Sequence, residues 1–219
     1  MHRTRIKICG LTRPQDVQAA VDAGADGIGF VFYEKSPRYI APTDAARLIA
    51  AVPAFITTTG LFVNATADQV QAIVQIAPVS LLQFHGDETA AECAAIAKAV
   101  NRPFIRAIRV KPENKASDLV EYEAQYRAAS PLFSGLLLDT FVDEYGGSGK
   151  VFDWSLIPES IAPRVVLSGG LNAQNATDAV RRIRPHAVDI SSGVEVAKGI
   201  KDAEKIRAFI SAVRAADAA

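Results

Sequence analysis

Short apolar runs alternate with helical patterns along the whole chain. The runs are rich in β-branched and aromatic residues, and most precede a segment whose apolar residues recur at helical spacing. Strands that are apolar almost throughout are typical of a parallel sheet covered on both faces. The pattern predicts eight strands, at Arg5 to Cys9, Asp26 to Phe32, Phe55 to Val63, Val79 to Phe84, Phe104 to Val110, Gly135 to Leu138, Arg164 to Leu167 and Ala187 to Ile190.

Helix starts are marked by local signals. Thr12 to Gln15 and Thr66 to Gln69 have capping-box spacing, a helix begins near Thr89, and Pro42 suits a first helical turn. Only a weak helical signal follows the sixth strand. Eight βα units nevertheless predict an α/β fold, a single-domain (β/α)8 TIM barrel over residues 1–219. An open doubly wound sheet is the alternative, but the Gly-rich dinucleotide fingerprint is absent after the first strand.

Charge and composition exclude several classes of function. Lys plus Arg equals Asp plus Glu at 24 each, so no net positive field attracts nucleic acid. No apolar run approaches the ~20 residues of a membrane span, and no apolar signal region precedes the first strand. Two cysteines are too few for a disulfide framework, and three histidines show no metal-ligand spacing. We expect a cytoplasmic monomer or homodimer with no metal, cofactor, nucleic-acid or membrane partner.

The catalytic face of such a barrel lies at the carboxyl ends of its strands. Cys9 ends the first strand and shares a face with Lys7, because side chains alternate along a strand. A nearby ammonium favours the thiolate. Asp139 ends the sixth strand, roughly across the barrel, so the two groups are candidates for base and acid. An inert cysteine and a loop-orienting aspartate remain the alternatives.

Two glycine and serine turns follow the last two strands, Ser168-Gly169-Gly170 and Ser191-Ser192-Gly193. Backbone N–H groups at such turns bind anions, and barrels frequently bind phosphate at this place. The alternative is that these glycines only form turns. Arg38 follows Pro37 on a stiff loop and suits a carboxylate, with a solvated loop charge as the alternative. His85 suits a hydrogen-bond partner. Gly146 to Gly149 are interpreted as part of a mobile lid, with a flexible surface loop as the alternative.

Short motifs containing these residues occur in order along nearly the whole chain. They are Lys7-Ile8-Cys9-Gly10-Leu11, Gly27 to Phe30, Ser36 to Tyr39, Leu61 to Asn64, Leu82 to Gly86, Leu138-Asp139, Gly146 to Gly149, Phe152 to Trp154, Leu167 to Leu171 and Val188 to Glu195. In this order and spacing they resemble the phosphoribosylanthranilate isomerase family of tryptophan biosynthesis, whose members are (β/α)8 barrels. Several ordered motifs are far more specific than any one of them.

The resemblance implies an aldose–ketose isomerisation without a cofactor, the Amadori rearrangement of N-(5-phosphoribosyl)anthranilate to 1-(o-carboxyphenylamino)-1-deoxyribulose 5-phosphate. It implies that Cys9 is the general base, that Asp139 is the general acid and that Arg38 holds the anthranilate carboxylate. The other predicted substrate-binding residues are Lys7, His85, Gly169, Gly170, Asp189, Ser191 and Ser192.

Two alternative functions stay open. One is a related phosphosugar isomerase barrel, such as the histidine-pathway isomerase. That family resembles a pair of half-barrels with aspartate at both catalytic positions, so Cys9 argues against it. The other is a non-catalytic phosphate-binding barrel, against which the Cys9 and Asp139 pair argues.

Overall fold

Eight parallel strands close into a barrel in the computed structural model, which describes residues 3–140 and 152–218. The ring closes because β1 pairs with β8, in the register Arg5 with Ala187 through Ile8 with Ile190. The predicted barrel is therefore confirmed. Its strands are β1 Arg5–Cys9, β2 Gly27–Val31, β3 Thr57–Phe62, β4 Leu81–Phe84, β5 Phe104–Val110, β6 Phe133–Thr140, β7 Val166–Leu167 and β8 Ala187–Ile190.

Seven α-helices in the described residues cover the outside of the barrel. Thr66 and Thr89 form the capping boxes that open α3 and α4, as predicted. Thr12 does not cap α1, because its hydroxyl donates instead to the carbonyl of Gly199 at 2.9 Å. The helices are α1 Pro14–Asp22, α2 Pro42–Ala50, α3 Ala67–Ile76, α4 Ala90–Val100, α5 Ala116–Ala129, α6 Ala176–Ile183 and α7 Ala203–Asp217.

The sixth unit departs from the predicted βα repeat. Residues 152–165 contain two 3-10 turns, Trp154–Leu156 and Ala162–Arg164, where an α-helix was expected. Pro158 and Pro163 explain the difference, because a proline inside a helix removes a hydrogen bond and clashes with the preceding turn. The glycines at 146–149, interpreted as a lid, lie outside the described residues.

Three strand starts were predicted two residues too early. β3 begins at Thr57 rather than Phe55, whose φ of 72° takes it out of extended backbone. β7 begins at Val166 rather than Arg164, which ends a 3-10 turn. β4 begins at Leu81 rather than Val79. All three errors fall at the amino-terminal ends of strands and leave the carboxyl-terminal face unchanged.

The barrel interior is apolar at one level and polar at the next. Ile105, Ala107, Leu137, Val166 and Ala187 form a buried cluster of their own. Along the strands, the inward positions nearer the carboxyl ends carry Lys7, Cys9, Gln83 and Asp189 instead, and all four are buried. Polar side chains at this level line the face where barrel enzymes work.

A short hairpin follows the barrel. β9 (Glu195–Ala197) and β10 (Ile200–Lys201) pair antiparallel after the 3-10 turn Ser192–Val194, and α7 follows them. Among residues 3–140 and 152–218, no helix is long and apolar enough to cross a membrane.

Candidate active site

Cys9 and Lys7 lie on the same inward face of β1, as strand alternation predicted. Gly29 on β2 faces them. A side chain there would bring a Cβ within 2.9 Å of the Cys9 sulfur and 3.2 Å of the Lys7 Nζ. The missing side chain of Gly29 is therefore what makes room for the thiol and the ammonium inside the barrel.

Lys7 forms a buried ion pair with Asp189. The β1–β8 register places the two residues side by side, and Lys7 Nζ donates to Asp189 Oδ1 at 2.8 Å. Both side chains are under one-tenth exposed, at 9% and 6%. The predicted binding residues Lys7 and Asp189 thus contact each other.

The charges around Cys9 act in opposite directions. Burial raises the pKa of the Cys9 thiol, and the Lys7 ammonium opposes the rise without cancelling it. Burial alone would lower the pKa of Lys7, but Asp189 and Cys9 together outweigh burial and raise it. The resting site therefore holds a protonated thiol beside a charged lysine. Lys7 favours the thiolate as expected, yet burial decides the net direction.

Asp139 is the last residue but one of β6, and both of its carboxyl oxygens have a hydrogen-bond contact. The backbone N–H of Thr140 donates to Oδ1 at 2.9 Å, and His85 Nε2 lies 3.1 Å from Oδ2. Gly169 packs against this carboxyl at a φ of 81°, and a Cβ there would come within 2.6 Å of Oδ1. His85 is thus a hydrogen-bond partner, as expected, and Gly169 gives the aspartate its room.

Arg38 already holds a carboxylate from its own chain. Its Nε and Nη2 donate to the two carboxylate oxygens of Glu195, each at 2.8 Å, and Lys201 Nζ donates to the same group at 2.8 Å. Burial would raise the pKa of Glu195, but Arg38 and Lys201 outweigh it and lower the pKa. Sequence reasoning gave Glu195 no role, although Glu195 is the last residue of the motif Val188 to Glu195.

The two glycine and serine turns lie side by side, because β7 and β8 are neighbours. Gly169 and Gly170 both have positive φ, at 81° and 68°. The Ser191 hydroxyl donates to the carbonyl of Cys9 and accepts from Lys201 Nζ, both at 3.1 Å. Ser192 begins the 3-10 turn after β8. The hydroxyl of Ser191 therefore ties the β8 turn to the strand that carries the thiol.

The predicted residues form two clusters at one end of the barrel. Lys7, Cys9, Asp189 and Ser191 share the β1–β8 seam, whereas His85 and Asp139 pair between β4 and β6. In the ring, β7 and β8 separate β6 from β1 on the shorter side. Within the described ranges, no three His, Cys, Asp or Glu side chains are grouped as metal ligands.

Removing the lysine charge provides a test of this electrostatic arrangement. We expect Lys7→Met to raise the pKa of the Cys9 thiol further, because the opposing ammonium is lost. Thiolate absorbance in an ultraviolet pH titration measures the change. A Cys93→Ala background removes the second cysteine, whose pKa burial raises to about 12. Cys9 is then the one thiol that titrates. Lys98→Met on the exposed face of α4 is the matched control, and equal thiol titrations in the two variants would refute the coupling.

One protein family matches almost the whole chain. A family model described as N-(5'phosphoribosyl)anthranilate (PRA) isomerase matches residues 6–212. A curated relative from Herminiimonas arsenicoxydans, named N-(5'-phosphoribosyl)anthranilate isomerase, is 73% identical over 219 residues. The match covers 100% of this chain and 96% of that relative.

Solved structures agree in fold and in family. A phosphoribosyl anthranilate isomerase from Thermotoga maritima is 40% identical with a TM-score of 0.85, covering 97% of this chain and 99% of its own. Another isomerase structure, in complex with reduced 1-(o-carboxyphenylamino)-1-deoxyribulose 5-phosphate, is 37% identical with a TM-score of 0.81 and the same coverage. The chain therefore belongs to the N-(5'-phosphoribosyl)anthranilate isomerase family.

Proposed function

We propose that this chain catalyses the Amadori rearrangement of N-(5-phosphoribosyl)anthranilate in tryptophan biosynthesis. The observation that carries the proposal is one barrel face with a thiol beside an ammonium and a carboxyl in contact with a backbone N–H and an imidazole. A proton donor and a proton acceptor are what an aldose–ketose isomerisation requires. The product keeps every atom of the substrate, so the reaction needs no redox cofactor.

Asp139 is proposed as the general acid. Its protonated carboxyl gives a proton to the furanose ring oxygen, the bond from that oxygen to C1 breaks, and the anilino nitrogen lone pair forms a Schiff base. The side chain is 25% exposed, so the carboxyl reaches the open face of the site. The Thr140 N–H and His85 stabilise the carboxylate that remains, because hydrogen bonds to the charged form favour it.

Cys9 is proposed as the general base. Its thiolate removes the proton from sugar C2, the electrons move toward the C=N bond, and an enolamine forms. The enolamine then tautomerises to the ketone as C1 gains a proton and the C2 hydroxyl loses one. Since burial keeps the resting thiol protonated, Lys7 is needed to stabilise the thiolate.

Arg38 and the two turns are proposed to hold the ends of the substrate. Glu195 occupies Nε and Nη2 of Arg38, which leaves Nη1 for the anthranilate carboxylate. Lys201 shares the charge of Glu195, so the guanidinium is not fully neutralised. The phosphate would lie against the turns at Gly169-Gly170 and Ser191-Ser192, where backbone N–H groups suit an anion.

We further propose that the small-molecule substrate is the main partner and that the protein is cytoplasmic, as suits a biosynthetic enzyme. A solved Thermotoga maritima relative is described as dimeric. The homodimer therefore stays one of the two predicted states of this chain, with the monomer as the other.

Removing the acid or the base tests the chemistry. We expect Cys9→Ala and Asp139→Ala each to lower kcat by roughly 10²–10⁴-fold, because each removes one proton-transfer group. Affinity for a reduced product analogue should stay within a few-fold. The assay is the decay of anthranilate-type fluorescence with freshly made substrate. Cys93→Ala and Asp44→Ala are controls away from this face, and turnover near theirs in either active-site variant would exclude the assignment.

Arg38→Ala tests recognition of the carboxylate. We expect the variant to weaken binding of a carboxylated product analogue by about 1–3 kcal/mol, the usual range for a hydrogen bond to a charged group. An analogue without the carboxylate should lose much less. Calorimetric titration of both analogues measures the difference. Arg47→Ala, on the exposed side of α2, is the control, and equal losses for both analogues would count against a direct contact.

The phosphate site can be tested without substrate. We expect a crystal soaked in phosphate or sulfate to show the anion beside Gly170 and Ser192, since both turns present backbone donors. Ser192→Asp should abolish that density, because its carboxylate repels the anion. An anion that binds only elsewhere would reject these turns as the phosphate site.

A further inference from the structure

Gln83, His85 and Asp139 form a continuous line of hydrogen-bond contacts. Gln83 Nε2 lies 3.0 Å from His85 Nδ1, and His85 Nε2 lies 3.1 Å from Asp139 Oδ2. Gln83 is fully buried in β4, and His85 follows two positions later. Residues two apart on a strand share a face, so the amide and the ring both point into the barrel mouth.

The amide sets the direction of this line. An amide nitrogen only donates, so Nδ1 of His85 accepts the hydrogen bond from Gln83. A neutral imidazole whose Nδ1 accepts carries its proton on Nε2. The ring therefore donates to Asp139 Oδ2, while the Thr140 N–H donates to Oδ1. Both oxygens of Asp139 then face donors.

The reverse direction would oppose a carboxylate. If Gln83 presented its carbonyl oxygen instead, the ring proton would lie on Nδ1 and the Nε2 lone pair would face Asp139. The Oε1 atom of Gln83 is buried and has no hydrogen-bond partner in the part of the chain described. A buried polar atom without a partner costs free energy, and the contact from Nε2 of the same amide to His85 Nδ1 is what offsets that cost.

We propose that Gln83 is a positioning residue that holds His85 as the Nε2–H tautomer, so that the imidazole donates to Asp139 as this carboxyl releases its proton. The catalytic part rests on the proposed role of Asp139. In this arrangement His85 stabilises the carboxylate that forms and does not itself supply the proton. Gln83 touches neither substrate nor reacting atoms and acts through His85.

The ring nitrogens of His85 give a direct test by NMR. The full chain, labelled with 15N at histidine, contains three such residues, and His85→Asn assigns the His85 signals. We expect wild-type His85 to show a protonated Nε2 and an unprotonated Nδ1. Gln83→Met should give a mixture of tautomers, and Gln83→Glu should place a proton on Nδ1, because a carboxylate accepts. Gln125→Met, at an exposed position on α5, is the control and should leave the ring signals in place.

Kinetics separate positioning from packing. We expect Gln83→Met to lower kcat about tenfold, on the scale of one lost hydrogen bond to a charged group, with KM within about twofold. Wild-type His85 protonated on Nδ1 would overturn the proposal, as would ring signals or kcat unchanged in both Gln83 variants. The wild-type spectrum decides the tautomer even if a variant does not fold. If Asp139→Ala keeps its turnover, the acid assignment fails. The NMR spectrum of His85 still tests the positioning role of Gln83 independently.

Discussion

The buried ion pair between Lys7 and Asp189 is the interaction on which the site depends. It spans the seam where β1 and β8 close the barrel, with its Nζ to Oδ1 distance at 2.8 Å. Removing one partner of a buried pair typically costs about 3–5 kcal/mol, because the other charge is left unpaired. The pair also fixes the ammonium beside Cys9, and Gly29 supplies the space for both. The same ion pair therefore joins the two strands that close the barrel and sets the electrostatic environment of Cys9.

The two proton-transfer groups are built by different means. Cys9 is 4% exposed and surrounded by full charges, whereas the Asp139 side chain is 25% exposed and contacts a backbone N–H and an imidazole. Burial disfavours the charged form of the thiol, so Lys7 has to offset it. Asp139 lies closer to solvent and is oriented by hydrogen bonds. A substrate that spans both clusters would couple them.

Local patterns predicted most of the fold because they are short-range properties. The strands follow from apolar runs, and the caps at Thr66 and Thr89 lie within one turn of their partners. Prediction failed where distant segments decide. Thr12 has capping-box spacing, yet its hydroxyl bonds Gly199 on the hairpin. Arg38 and Glu195 stand 157 positions apart, so no local signal paired them. The position of the site residues in the barrel was predictable from the strand ends, whereas these long-range hydrogen-bond partners were not.

A thiol suits the base position for an electrostatic reason. The single ammonium of Lys7 is already paired with the carboxylate of Asp189. A second carboxylate at position 9 would be a buried anion with no full counter-charge of its own, which is costly. A thiol stays neutral in the resting site, because burial raises the pKa of Cys9, and it becomes an anion only when it acts. The same burial makes the thiolate a stronger base. Because Cys9 is charged only when it acts, the free-energy cost of a buried anion arises only during the proton transfer.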